Sequence, residues 1–274
     1  MNQLLPISVL IIGQNVEKCL DRCLSSTQQM KEVVFVDGGS TDRTEEIARS
    51  YPNVSYYRNP WPGFIEQRKF SLDKAQNHWC LMLDADEALT PELIPVLAEV
   101  IERKNPKAMY RIVRTEYYEG IAIETGFGRS NYQERFFQKP FVEYVGGVHH
   151  EHLIKGKRSC LDHPEIEDLN PIVRILHDEG YSLDEMIRKL PRFSLLIAQE
   201  KFEKGRRVSA FGVFFSFLIS FIQIYGKSWH AGRVGFMTSL LEAHHRGLVK
   251  MIIYNLEHFR NESLEEEWRK KKLG

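Results

Sequence analysis

The sequence has 274 residues, with 37 basic and 37 acidic side chains, so its formal net charge at pH 7 is zero. This balance excludes a global field that attracts nucleic acid or an anionic surface, and we expect no nucleic-acid partner. The four cysteines form no C-x-x-C motif, which favours reduced thiols. Residues 1–6 lack the basic and apolar segments of a secretory signal. These features together predict a cytoplasmic protein.

The first hundred residues alternate between short apolar runs and segments with helical spacing. The runs are nearly all apolar, as expected of strands buried on both faces of a parallel sheet. Ser40 or Thr41 caps the second predicted helix, and Pro91 lies early in the fourth. A β-α-β-α series of this kind predicts a parallel sheet with helices on both faces. The predicted strands are residues 7–12, 32–36, 54–57 and 79–83, and the predicted helices are residues 16–25, 40–50, 63–75 and 91–103.

The pattern changes after residue 110. Strand-like pieces at residues 110–115, 134–138, 148–153 and 172–176 precede a long predicted helix at residues 182–204. We expect all of these to belong to one catalytic α/β domain, residues 1–204. Ligands of open α/β sheets collect at the carboxyl ends of the strands, so Asp37 and residues 84–87 are expected at the same edge.

The remaining residues, 205–274, are predicted to form a helical region that associates with a membrane. Residues 208–225 carry no charge and include five phenylalanines. Basic residues on both sides, Arg206 and Arg207 before and Lys227 after, argue against crossing the bilayer, because such residues favour one side of the membrane. We therefore expect a helix that lies in the membrane interface. An ordinary buried core helix is the alternative.

The sequence LMLDADE, residues 81–87, is the strongest chemical signal in the chain. Three apolar residues of a predicted buried strand lead directly into a segment with three carboxylates. Clustered carboxylates repel one another unless a cation neutralises them, and oxygen ligands suit Mg²⁺ or Mn²⁺. Asp84 and Asp86 are therefore predicted to bind a divalent metal. The alternative is that these acids only begin the next helix, where they favour the N-terminal dipole.

A second signal is VDGGSTD, residues 36–42. Asp37 ends a predicted strand, and two glycines and a helix N-terminus follow it. A carboxylate in this position can accept hydrogen bonds from a base, and glycines let a ligand approach the backbone closely. Turn and cap chemistry explains Gly39, Ser40 and Asp42 equally well, so the prediction depends on Asp37.

Three segments together, ISVLIIGQN, FVDGGSTD and WCLMLDADE, resemble the family 2 glycosyltransferases, which have a nucleotide-sugar-binding GT-A fold. The chain is also similar to the bacterial branch that adds sugars to the inner core of lipopolysaccharide. That similarity includes an Arg-Phe-Phe segment at residues 135–137, a Val-His-His-Glu segment at residues 148–151, and His177 ahead of Ser182.

The resemblance implies roles for particular residues on the donor side. Asp37 would contact the nucleobase, and the backbone of Ile12 and Gly13 would line the base pocket. Asp84 would lie near the ribose and the metal, and Asp86 would be the main metal ligand. Arg68 precedes the metal motif on a predicted helix, where it either approaches the phosphates or lies on a solvated face.

On the acceptor side, the resemblance places a general base in the late His-Glu segment. Glu151 is the first candidate and His150 the second, because additional histidines leave the register of this segment open. His177 follows a predicted strand, and it either completes the metal coordination through a ring nitrogen or caps the helix at Ser182.

The expected function is the inverting transfer of a hexose from a nucleotide-sugar, a UDP-sugar, to a membrane glycolipid such as a lipopolysaccharide core. The enzyme would depend on Mn²⁺ or Mg²⁺ and would lie peripherally on the inner face of the cytoplasmic membrane. A polyprenyl-phosphate glycosyltransferase is the enzymatic alternative. A nucleotide-binding, membrane-associated module is the non-enzymatic one. A nucleotidyltransferase is disfavoured, because residues 13–17 (GQNVE) contain one glycine and an acid where such enzymes have a basic, glycine-rich loop.

Overall fold

The computed structural model describes residues 4–118, 121–123, 132–145, 151–154, 157–158, 164–177 and 183–259. The chain forms two compact units, one up to residue 181 and one from residue 182 onward. This division falls before the long helix that the composition placed in the catalytic domain, and not at the expected boundary between residues 204 and 205.

Four parallel strands form the centre of the first unit. They are hydrogen-bonded in the order β3-β2-β1-β4. Most of their residues are buried on both faces, which confirms the interpretation of the apolar runs. The strands are β1 Leu5–Gly13, β2 Met30–Asp37, β3 Val54–Arg58 and β4 Trp79–Asp84.

Four helices of the described residues pack apolar side chains into two buried clusters beside these strands. Two of them begin later than predicted, because hydrogen-bonded turns precede them: Asp42 accepts from the Thr44 backbone N–H, and Leu20 N–H donates to the Val16 carbonyl. The helices are α1 Leu20–Ser25, α2 Thr44–Arg49, α3 Phe64–Lys74 and α4 Leu93–Glu102.

Within the described ranges, nine further strands belong to the first unit. Six of them extend the main sheet in the order β4-β8-β6-β13-β5, with β7 and β12 paired to β6. Because β8 is antiparallel to both β4 and β6, the sheet is mixed. β9, β10 and β11 form a separate antiparallel sheet. The strands are β5 Glu87–Leu89, β6 Met109–Tyr118, β7 Ile121–Ile123, β8 Tyr132–Gln138, β9 Val142–Val145, β10 Glu151–Ile154, β11 Lys157–Arg158, β12 Ile166–Asp168 and β13 Arg174–His177.

The second unit is helical. Its first helix packs against its last through a small core of Ala198, Val249 and Ile253. Ser194 Oγ and His245 Nδ1 lie 2.8 Å apart across the same contact. These contacts explain why residues 183–203 belong to this unit and not to the sheet domain. The helices are α5 Leu183–Glu203, α6 Ala210–Phe214, α7 Ser216–Ser228 and α8 Gly232–His258.

The uncharged segment at residues 208–225 contributes to two helices, α6 and α7, with Phe215 between them. Among the described residues, none of the helices combines the length and the apolar character that a membrane crossing requires. The side of α7 that packs on α8 carries small residues: a Cβ added to Gly235 of α8 would lie 1.9 Å from the Ser228 carbonyl oxygen.

This close approach predicts that Gly235→Ala destabilises the second unit by about 1–3 kcal/mol, because the added methyl group overpacks the contact. Gly226→Ala is the matched control, since a Cβ at that helical position meets nothing within 4 Å. It should stabilise the helix by about 1 kcal/mol. Urea unfolding followed by circular dichroism measures both, and equal free energies of unfolding for the two variants would contradict the packing.

Candidate active site

The carboxyl ends of three parallel strands bring four of the predicted residues to one edge of the sheet. Gly13 of β1 is in register with Asp37 of β2, and Ile12 is in register with Asp84 of β4. All four residues lie within two positions of a strand end. The edge predicted from the alternation of elements is therefore present in the structure.

The Asp37 carboxylate is buried and accepts hydrogen bonds from four donors. Oδ1 accepts from the backbone N–H groups of Gly39 (3.0 Å) and Ser40 (2.8 Å) and from Ser40 Oγ (2.6 Å). Oδ2 accepts from Tyr56 Oη at 2.6 Å. Burial acts to raise the pKa of this carboxyl, but the bonds from Ser40, Tyr56 and Gly39 hold it below its usual value. Asp37 thus shapes the turn after β2, and its contact with a nucleobase stays a prediction.

An aromatic pair that the sequence analysis missed covers this turn. A Cβ added to Gly38 would lie 2.7 Å from Cε3 of Trp61, so only glycine lets the indole approach the backbone here. The Trp61 ring meets Phe64 edge-on at 4.9 Å and is 37% exposed. The stretch Trp-Pro-Gly-Phe at residues 61–64 is the sequence signal that could have found this pair.

Asp84 is held by two buried arginines. Arg68 of α3 pairs with Oδ1, and Arg135 of β8 pairs with Oδ2 at 3.0 Å. Arg68 is almost fully buried. The solvated position of Arg68 is not observed, since its guanidinium is buried and pairs with Asp84; an approach to the donor phosphates stays a prediction. Arg68 fixes the carboxylate at the end of β4.

Glu87 is the buried centre of the same network. Its Oε2 accepts from the Asp84 backbone N–H at 2.9 Å, and its Oε1 pairs with Arg135 at 2.6 Å. Burial raises the pKa of Glu87, and Arg135 acts in the opposite direction. Burial acts to lower the pKa of Arg135, but Glu87 and Asp84 raise it above its usual value. The alternative that these acids begin a helix is wrong for Glu87, which starts strand β5.

Asp86 and His177 lie at the same edge, because β13 pairs with β5 and places His177 in register with Glu87. The Nε2 atom of His177 lies 3.5 Å from Oδ2 of Asp86. Arg22 donates to the Asp86 carbonyl oxygen at 2.7 Å and so fixes the backbone. Oδ1 of Asp86 is buried and has no hydrogen-bond partner.

These two side chains fit a divalent metal ion. A buried carboxylate oxygen without a donor needs a compensating cation, and a carboxylate with an imidazole suits Mn²⁺. Within the described part of the chain, no group of three His, Cys, Asp or Glu side chains could hold an ion. An ion bound by Asp86 and His177 would therefore take its other ligands from water and substrate phosphates, as Mg²⁺ commonly does.

The two candidates for the general base are less fully described. Glu151 begins β10, where it is in register with Val145 of β9. His150 lies outside the described residues, as does Ser182, the partner in the capping alternative for His177.

Comparison with known proteins decides the family. The model of glycosyl transferase family 2 matches residues 8–149, more than half of the chain. The chain belongs to glycosyltransferase family 2. This confirms the resemblance drawn from the three strand-end segments, and the observed mixed α/β sheet with flanking helices agrees with the expected GT-A fold.

Several relatives extend over most of this glycosyltransferase. The lipopolysaccharide core biosynthesis glycosyltransferase LpsC of Rhizobium meliloti (strain 1021) is 28% identical over 91% of this chain and 92% of its own length. The uncharacterized glycosyltransferase RP128 of Rickettsia prowazekii (strain Madrid E) is 26% identical over 88% of this chain and 84% of its own. Among solved structures, S. aureus TarS 1-349 in complex with UDP-GlcNAc is similar with a TM-score of 0.48 and 13% identity, covering 86% of this chain and 90% of TarS 1-349.

The buried network predicts a large cost for losing Arg135. Arg135→Met leaves Glu87 buried without its strongest partner and should lower the free energy of unfolding by about 3–5 kcal/mol. The double variant Arg135→Met/Glu87→Gln should recover part of the lost free energy of unfolding, because the buried acid is then neutral. Lys69→Met is the control, because its pair with Glu66 is exposed and should be worth about 1 kcal/mol or less. Urea titrations measure all four proteins, and equal losses for Arg135→Met and Lys69→Met would contradict the network.

Proposed function

We propose that this glycosyltransferase uses a divalent metal to move a hexose from a UDP-sugar, with inversion, to a membrane glycolipid of the lipopolysaccharide-core type. The observation that carries the proposal is the partnerless, buried Oδ1 of Asp86 beside His177, at the edge where Gly13, Asp37 and Asp84 also lie. The full-length similarity to LpsC supports the choice of acceptor class.

The donor would lie along the carboxyl edge of β1, β2 and β4. The backbone of Ile12 and Gly13 and the half-exposed indole of Trp61 would receive the base, since an aromatic face stacks well on any base. Asp37 would hold the turn beneath it. Asp84, fixed by Arg68 and Arg135, would accept from the ribose hydroxyls, because part of its side chain remains exposed at the end of β4 and its charge is already balanced by the arginines.

Asp86 and His177 would hold Mn²⁺ or Mg²⁺ against the diphosphate of the donor. When bound, the ion neutralises the charge that develops on the leaving nucleoside diphosphate. His177 acts as a ligand only with a neutral ring, because protonation removes the lone pair that binds a metal. Arg22 and the Glu87 network keep the Asp86 backbone in place, which pre-organises the site before the donor arrives.

Glu151 would take the proton of the acceptor hydroxyl as it attacks the anomeric carbon, with His150 as the second candidate. A direct, single displacement of this kind inverts the configuration of the sugar. The polyprenyl-phosphate alternative differs at this step, because an anionic phosphate oxygen needs no general base. We place the enzyme in the cytoplasm, peripherally on the inner face of the membrane, where a nucleotide-sugar and a lipid-linked acceptor can meet.

The metal site predicts that Asp86→Asn abolishes hexose transfer and weakens Mn²⁺-dependent binding of UDP about a hundredfold or more, because the amide loses the ligand charge. Calorimetric titration with UDP, with and without Mn²⁺, measures binding, and radiolabelled UDP-sugars with lipopolysaccharide core acceptor measure transfer. The control, Asp73→Asn, changes an exposed acid on α3 and should leave both unchanged. Normal metal-dependent binding of UDP by Asp86→Asn would contradict the role of Asp86 as a metal ligand.

The general base separates the two acceptor classes. Glu151→Gln should lower kcat by about 10²–10⁴ with a hydroxyl acceptor while leaving the affinity for UDP unchanged, since proton transfer is lost and donor binding is not. His150→Gln tests the second candidate in the same assay. If neither variant slows transfer, the acceptor supplies an oxygen that is already anionic, and the polyprenyl-phosphate alternative is favoured.

A further inference from the structure

Helix α7 is organised in the reverse of an ordinary surface helix. Its buried residues are Ser216, Ser220, Ile224 and Ser228, at a spacing of four, and they pack against the small residues of α8. Its exposed side carries Phe217, Leu218, Ile219 and Ile222. A helix between protein and water buries its large apolar residues and exposes its polar ones. In α7 three of the four buried residues are serines, and most of the large apolar residues are outside.

The exposed apolar side continues beyond α7. In α6, Phe211 and Phe214 are 77% and 78% exposed. Their rings lie 6.4 Å and 5.0 Å from that of Phe215, so the three form one aromatic cluster. At the other end of α7, Trp229 is 66% exposed. We call the exposed residues 211–229 of this surface the aromatic face. Scattered apolar side chains are normal on a protein surface, whereas a continuous patch of them marks an interaction site.

The stretch of sequence that carries the aromatic face has charges of a single sign. Between Glu203 and Glu242 the sequence contains no acidic residue, although acids and bases are balanced in the chain as a whole. Arg206, Lys227 and Arg233 are exposed in this stretch. Lys201, Lys204 and Arg206 also line a shallow pocket just ahead of α6. Basic side chains bordering an apolar face complement the phosphates of anionic lipids.

We propose that the aromatic face of α6 and α7 inserts into the interfacial layer of a bilayer that contains anionic lipids, with the basic border on the lipid phosphates. The helices lie in the interface, in keeping with the observation that no described helix is long and apolar enough to cross a membrane. The proposal goes beyond the transfer reaction and does not depend on it, since vesicle binding can be measured without donor, metal or acceptor.

Flotation of the full chain with vesicles tests the apolar contribution. Wild type should bind vesicles of phosphatidylcholine with 30 mol% phosphatidylglycerol, and the double variant Phe211→Ser/Phe214→Ser should bind about tenfold more weakly or worse, since two large apolar side chains are lost. The control is Ile172→Ser, because Ile172 is 72% exposed in the other unit. Wild-type binding by the double Phe variant would overturn the proposal.

A second pair of variants tests the charge. Arg206→Gln/Arg233→Gln should lose the preference for anionic over zwitterionic vesicles, and raising the salt concentration should do the same for wild type. Lys31→Gln/Lys104→Gln removes two exposed charges from the first unit and should change nothing. Equal effects of the two double variants would show that only total charge matters and would refute the basic border.

A geometric readout completes the test. Brominated lipids should quench the fluorescence of Trp229 in bound wild type, and Trp229→Phe should lose that quenching while still binding vesicles. Absence of quenching in bound wild type would place another surface on the membrane. A chain that binds no vesicles but forms a dimer dispersed by Phe211→Ser/Phe214→Ser would assign the face to a second copy and refute the proposal. Unchanged circular dichroism shows that the variants are folded.

Discussion

The candidate active site depends on the compensation of one buried charge. Glu87 is fully buried immediately after the metal motif, and a buried carboxylate is costly unless charged donors surround it. Arg135 reaches it from β8, which lies next to β4, and Arg114 lies 3.6 Å from the same oxygen. The antiparallel position of β8 between β4 and β6 is therefore what delivers the guanidinium to the end of β4.

This compensation changes how the cluster of acids at the end of β4 is understood. Clustered carboxylates without other partners would require a metal cation to suppress their repulsion. In the structure, Arg68 and Arg135 balance Asp84, and Arg135 and Arg114 balance Glu87. Charge repulsion alone therefore does not predict a metal. The argument for a metal rests instead on Asp86, whose Oδ1 has no hydrogen-bond partner.

The parts of the fold that follow from local pattern were predictable. Three strands of the parallel core, β1, β2 and β4, are buried and show in the sequence as short apolar runs. The expected edge with Gly13, Asp37 and Asp84 forms because parallel strands end together. Pairings over long separations were not predictable. Arg135 is 48 residues from Glu87, and the periodicity of neither segment predicts that contact. Arg68 lies on a helix whose spacing fits a solvated face equally well, and only the packing of α3 shows that it is buried.

In the second unit, too, the packing of the helices could not be predicted from the composition of the sequence. Residues 208–225 include three serines, whose hydroxyl groups are poorly suited to lipid. In the structure, Ser216, Ser220 and Ser228 lie on the protein side, where Ser228 Oγ meets Ser239 Oγ at 2.7 Å. Small residues there let two helix backbones approach closely, as they do between helices in membranes. The large residues of α7 are left outside as a consequence, so the sorting is by size and not by polarity. A mean hydropathy over the segment cannot detect this arrangement, whereas the serines, at spacings of four and eight, indicate it.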